Sequence, residues 1–294
     1  MQNNLSGIFP PLVTVFENDE LNLDRLLRNV RKYERRDLSG YVLFGSNGES
    51  VFLAKGEKLE IISSVREQTK KSLIVGTGSD SIKDTIQLTN EAADKGADFA
   101  LIISPSFFKT EMKHHAFLNY YIKVADSVMI PVIIYNVPKF TNVNVEVETI
   151  IELSKHPNII GLKDSTEIVP RISEIAANVH PGFKLIVGTA SVLYPGLVSG
   201  ASGGILALAN LLPDECLQIY HSVKEKKLDK ALDLQNRLIP VNKAVTNKFG
   251  VAGLKAAMDI LGYDGGNPRL PLEPLNEAQL IELKMILKSA SFLE

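Results

Sequence analysis

The chain contains no tryptophan and one cysteine, Cys216, so no disulfide can form within it. A solitary cysteine suits a reducing compartment. Excess charge of either sign is also missing. Thirty-two Lys and Arg stand against 34 Asp and Glu, a net charge of −2, which removes the electrostatic case for nucleic acid. The densest basic stretch, Lys224-Glu225-Lys226-Lys227, is broken by a glutamate and reads as a solvated helix face. No apolar run approaches the roughly 20 residues that span a bilayer. The opening residues Met1-Gln2-Asn3-Asn4-Leu5 lack the basic-then-apolar order of a signal peptide, and are too short and arginine-poor for an organelle transit sequence. Histidines are scattered: His114 and His115 are adjacent and face different sides of a helix, while His156, His180 and His221 are isolated. That pattern offers no metal-ligand set. These absences point to a soluble, cytoplasmic protein with no membrane or nucleic-acid partner, and to chemistry without metal or cofactor.

What is present is a long alternation of apolar strands and amphipathic helices. Strands are expected at Ile8–Val15 (irregular at Pro10-Pro11), Gly40–Phe44, Ser72–Val75, Asp98–Ile103, Pro131–Tyr135, Asn158–Leu162, Lys184–Val187 and Gly203–Leu206. Helices fill the intervals. Near-continuous apolar strands imply a buried parallel sheet. Eight regular repeats within 294 residues favour closure into a barrel over an open sheet, an α/β fold of the TIM (β/α)8 barrel type. Residues 1–213 are expected to form the barrel core. Residues 214–294 read as a C-terminal helical extension that completes the same unit, with helices near 214–226, 228–244, 253–261 and 277–289.

In such barrels the site lies at the carboxyl ends of the strands. The sixth strand ends in Gly161-Leu162-Lys163-Asp164-Ser165. A lysine held there among apolar walls loses water, which disfavours the ammonium and favours a neutral amine able to attack a ketone. A lysine snorkelling to solvent would leave the same trace. The fifth strand ends in Tyr135-Asn136-Val137-Pro138, placing a phenol at the mouth, either as a proton shuttle or as a packed ring. After the second strand, Gly45-Ser46-Asn47-Gly48-Glu49 can form a tight turn with inward N–H groups for a carboxylate, or an ordinary Asn-Gly turn. Gly188 after the seventh strand and Leu206 at the end of the eighth flank small residues that leave room for a ligand or serve close packing. Ser165 is placed either for a substrate hydroxyl or carboxylate, or to cap the next helix. Together, an amine, a phenol and an anion loop suit a 2-oxo acid bound as an imine.

The segments Gly45 to Glu49, Tyr135 to Pro138 and Gly161 to Ser165 resemble the signature regions of the dihydrodipicolinate synthase and N-acetylneuraminate lyase family, and the likeness runs from Gly7 to about Leu275. The resemblance implies a pyruvate Schiff base on Lys163, proton transfer by Tyr135, a carboxylate grip by Ser46 and Asn47, and a homotetramer built as a dimer of dimers. Synthases of this family, which condense pyruvate with aspartate semialdehyde, carry an arginine where this chain has Phe140. They carry a tyrosine that crosses a subunit contact where it has Phe107. Both departures favour another branch. The Ser46-Asn47 pair, Ser154 to Gly161, Ala207 to Asn210, Ala244 to Gly250 and Gly253-Leu254-Lys255 are similar to 4-hydroxy-2-oxoglutarate aldolase, which splits its substrate into pyruvate and glyoxylate. The synthase reaction and a 2-keto-3-deoxygluconate-type aldolase are the alternatives. Two rivals come from other classes. Gly76-Thr77-Gly78 begins a dinucleotide motif but has Ser81 where the third glycine belongs. A non-catalytic 2-oxo acid sensor on the same barrel would share the site but not the turnover.

Overall fold

The computed structural model describes residues 5–293; Met1–Asn4, part of the stretch read above for targeting signals, and Glu294 lie outside them. Eight parallel strands form the barrel: β1 (Gly7–Phe9), β4 (Gly40–Leu43), β5 (Ser72–Gly76), β6 (Phe99–Ile103), β7 (Val132–Asn136), β8 (Ile159–Asp164), β9 (Lys184–Val187) and β10 (Gly203–Ile205). Hydrogen bonds run in the order β1-β10-β9-β8-β7-β6-β5-β4. The ring closes through a parallel bridge between Pro11 and Val42, with Leu12 N–H donating to Val42 O and Val42 N–H to Pro10 O. The expected first strand is therefore shorter. Pro10 and Pro11 have no N–H to give a continuous ladder, and the chain beyond them turns into a two-stranded hairpin, β2 (Phe16–Glu17) and β3 (Glu20–Leu21), which the sequence did not suggest.

Strand side chains alternate between two apolar layers. Phe9, Val42, Ile74, Leu101, Ile133, Tyr135, Ile186 and Ile205 form one cluster inside the barrel. Ile8, Leu43, Val75, Ile102, Ile134, Leu162, Val187 and Leu206 join the larger cluster between strands and helices. The C-terminal helices Pro213–Lys224, Leu228–Lys243, Gly250–Ile260 and Glu277–Ser289 contribute Leu217, Leu238, Leu254 and Leu283 to that same outer core. Between the second and third of them, Ala244–Lys248 is a π-helical turn, closed by Phe249 N–H on Ala244 O at 2.9 Å. No helix among the described residues is long and apolar enough to cross a membrane.

Candidate active site

Tyr135 on β7 and Lys163 on β8 are register partners, and each precedes a residue that turns outward. Inside, Lys163 is 4% exposed and its Nζ sits 4.0 Å from the centre of the Tyr135 ring. Outside, the next pair, Asn136 and Asp164, is tied together: Asn136 Nδ2 donates to Asp164 Oδ2 at 3.3 Å. Asp164 also accepts from Arg171 Nε at 2.9 Å and from Thr166 N–H at 2.8 Å, and Arg171 donates onward to Val145 O. Both charges are buried, and the ion pair supplies each with a partner. The period-two alternation thus presents the amine and phenol to the interior while a buried polar clamp fixes the two strand ends behind them.

The phenol continues the arrangement. Tyr135 Oη and Ser46 Oγ are 3.1 Å apart, one hydroxyl donating to the other. Ser46 opens the 3-10 turn Ser46–Gly48, and Thr14 Oγ1 holds its end by donating to Gly48 O at 2.7 Å. Ser46, Asn47, Tyr135, Lys163, Ser165 and Gly188 all line one cavity of about 440 Å³ at the carboxyl ends of the strands. Gly188 is there because of space: a Cβ would lie 1.9 Å from Ser165 Oγ, inside any possible contact. Leu206 is the exception. Its side chain is fully buried in the outer core, and its neighbours Ile205 and Ala207 line the cavity instead. The sequence placed it one residue out of phase with the pleat.

Residues from the C-terminal helices form the opposite wall, and these were not foreseen. The π-helical turn and the start of the following helix bring Val245, Thr246, Asn247 and Val251 to the cavity, and Leu272 and Glu273 complete it. Lys139, one position before Phe140, spans this gap: its Nζ donates to Thr246 O at 2.6 Å and Asn247 Oδ1 at 2.9 Å. The cavity therefore has a second lysine near its mouth. A π-helical turn at a cavity wall was the signal available in principle, but no residue pattern in Ala244–Lys248 announces it.

The glycines of the incomplete dinucleotide motif serve strand packing. A Cβ on Gly76 would lie 2.3 Å from Phe44 O, and one on Gly78 2.5 Å from Ile103 N. Among the described residues no group of three or more His, Cys, Asp or Glu is gathered in metal-binding proximity.

A (β/α)8 barrel with a buried amine, a phenol and a small-residue turn at its C-terminal mouth suits small-molecule chemistry through a carbinolamine and an imine. Comparison with known proteins defines the class further. The chain belongs to the dihydrodipicolinate synthetase family, whose sequence profile matches residues 4–290. It is an enzyme of the Schiff-base-forming, pyruvate-dependent carbon–carbon lyases. It is 31% identical over 287 residues to 4-hydroxy-tetrahydrodipicolinate synthase of Methanothrix thermoacetophila, covering 97% of both chains. It is 33% identical over 279 residues to the enzyme of that name from Caldicellulosiruptor saccharolyticus, covering 94% of both. Among solved structures, dihydrodipicolinate synthase of Thermotoga maritima superposes with a TM-score of 0.93 at 26% identity, covering 99% of this chain and all of the other. The prophage protein YagE of E. coli K12, a member of the dihydrodipicolinic acid synthase family solved in complex with pyruvate, superposes with a TM-score of 0.92 at 25% identity, covering 98% of this chain and 99% of its own. These names favour the synthase over the 4-hydroxy-2-oxoglutarate aldolase expected from the sequence.

Proposed function

We propose that the protein condenses pyruvate with aspartate semialdehyde, in the manner of the synthases it resembles. The observation that carries the pyruvate half is the buried Lys163 amine packed on Tyr135, with Ser46 and Asn47 across the same cavity. In this reading the Lys163 amine attacks the keto carbon, and the carbinolamine loses water to give a protonated imine. Tyr135 carries protons to and from the departing oxygen, relayed through Ser46. Ser46 and Asn47 receive the carboxylate, Ser165 bonds a substrate oxygen, and Gly188 leaves the space for it. The imine nitrogen draws electrons from the adjacent methyl carbon, which loses a proton and becomes an enamine nucleophile. That carbon adds to the aldehyde, and water or an internal amine then releases the lysine.

The semialdehyde half rests on the names of the relatives at 31–33% identity. Lys139 supplies a cation for its carboxylate in place of the absent arginine, by exchanging its bonds to Thr246 and Asn247. A second reading is favoured by Phe140, which is 57% exposed and lines the cavity where the synthases carry that arginine. It is cleavage of 4-hydroxy-2-oxoglutarate, with the same imine formed in the reverse direction. A side-by-side assay decides between them: pyruvate with aspartate semialdehyde, 4-hydroxy-2-oxoglutarate, and 2-keto-3-deoxygluconate. The proposal expects the first to exceed the others in kcat/KM by at least about tenfold, the change that 1.4 kcal/mol of transition-state binding produces. Dominant cleavage of either 2-oxo acid would replace it.

We further propose a homotetramer. Its support is a set of large apolar side chains left facing outward near the mouth: Val51 at 86% exposure, Phe107 at 77% and Phe108 at 68%.

A further inference from the structure

One buried ion pair lies outside the chemistry described so far. Glu49 ends the Ser46–Gly48 turn in the left-handed region, at φ 53°, and its side chain is 1% exposed. Its Oε1 is 2.5 Å from Nζ of Lys255, also 1% exposed, on the helix Gly250–Ile260. Its Oε2 accepts from Arg269 N–H at 2.8 Å. Lys255 in turn donates to Asn267 O at 2.8 Å. The centre of the Phe16 ring is 4.7 Å from Lys255 Nζ and 4.1 Å from the Arg269 guanidinium. Burial lowers the pKa of the Lys255 ammonium, and Glu49 opposes that shift.

Three separate pieces of the cavity meet on this one carboxylate. The turn itself carries Ser46 and Asn47. The Lys255 helix carries Gly250, Val251 and Ala252. The segment fixed through Asn267 and Arg269 leads to Leu272 and Glu273. A buried charge with a single favourable arrangement holds its partners to that arrangement, because any other leaves it unpaired. We infer that Glu49 and Lys255 are positioning residues for 2-oxo acid binding. They lock the Ser46–Asn47 turn to the C-terminal wall, so that the anion loop keeps its shape only while the pair is intact. The inference rests on the reading above that this turn receives the substrate carboxylate.

The test is saturable trapping of pyruvate by borohydride, read as adduct mass against pyruvate concentration. The intact chain must first trap pyruvate; failure there removes the pyruvate reading itself. With that established, E49Q is expected to raise the half-saturating pyruvate concentration at least tenfold while the adduct yield at saturation stays within about threefold of the intact chain. E49D, which keeps the charge, should recover part of the loss. R66M, which breaks the half-buried Arg66–Asp98 pair elsewhere, serves as a stability control: it should lower the melting temperature and leave half-saturation unchanged. A folded E49Q with unchanged half-saturation overturns the inference. Where E49Q does not fold, the double variant E49Q/K255M removes both charges and is judged by the same criterion. Amide exchange on the intact chain gives an independent reading. Trapped pyruvate should slow exchange in residues 46–50 and also in residues 266–269, which do not line the cavity. Slowing confined to 46–50 would contradict the coupling.

Discussion

That Tyr135 and Lys163 face the cavity was legible because each stands at a strand end with the right phase. Inward and outward side chains alternate, so an apolar run fixes which neighbour faces the barrel interior. The same rule explains Leu206: a strand that ends in Gly203-Gly204-Ile205 has few bulky residues to fix its phase, and the reading slipped by one. The aim of Lys139 could not be read from the sequence, and only the π-helical turn across the gap reveals it. Tyr135→Phe should keep the fold, since the ring stays, and lower turnover by roughly 10²–10⁴, the usual contribution of a positioned proton donor. Steady-state kinetics with pyruvate checks this; near-normal turnover would remove Tyr135 from proton transfer. Cys216 takes no part. It is fully buried, and burial pushes its thiol well above the ordinary range.

At the scale of elements, eight strand–helix repeats were readable because parallel barrel strands are apolar on both faces and their helices are not. The hairpin β2–β3 and the π-helical turn were not readable. Each is set by tertiary partners: Phe16 bridges to Asn267, and the π-helical turn meets the barrel mouth. Likewise no local pattern links Glu49 to Lys255, which lie on opposite ends of the chain. The clamp behind β7 and β8 makes an element-level prediction. Arg171→Met leaves the Asp164 carboxylate buried without its cation, and should cost about 3–5 kcal/mol of stability. Urea unfolding checks it, and replacing Asp164 by leucine in the same chain should restore much of the loss. A change below about 1 kcal/mol would mean that water reaches Asp164 and the clamp is weak.

For the whole molecule, the joint between the first helix, Leu23–Tyr33, and the C-terminal segment combines a stacked Tyr33–Tyr263 pair with ion pairs to Asp264. Asp264 is bonded by Arg28 at 2.8 Å and Arg25 at 3.0 Å, and the Arg28 hydrogen bond leads the effects that hold its carboxyl below the usual range. A carboxyl with a lowered folded-state pKa stabilises the fold above its unfolded value, near pH 4, and that contribution disappears as the pH falls through the folded value. Melting temperatures should therefore drop between about pH 5 and pH 3. Asp264→Asn should be less stable than the parent at pH 7, and the difference should shrink towards pH 3. A constant difference across that window would contradict the assignment. The exposed Val51, Phe107 and Phe108 lead to a second molecular expectation: light scattering should give a mass near four times the 32.3 kDa chain, and a monomer at micromolar concentration would refute the tetramer.

The Lys163 amine joins the three scales: the strands aim it inward, the clamp fixes the strand ends behind it, and it lines the cavity at the barrel mouth. Borohydride reduction in the presence of pyruvate, followed by peptide mass spectrometry, tests it directly. The expected result is a single pyruvate-derived mass increment on Lys163 and none in Lys163→Ala. An intact chain whose mass is unchanged, or an increment on another lysine, would contradict it.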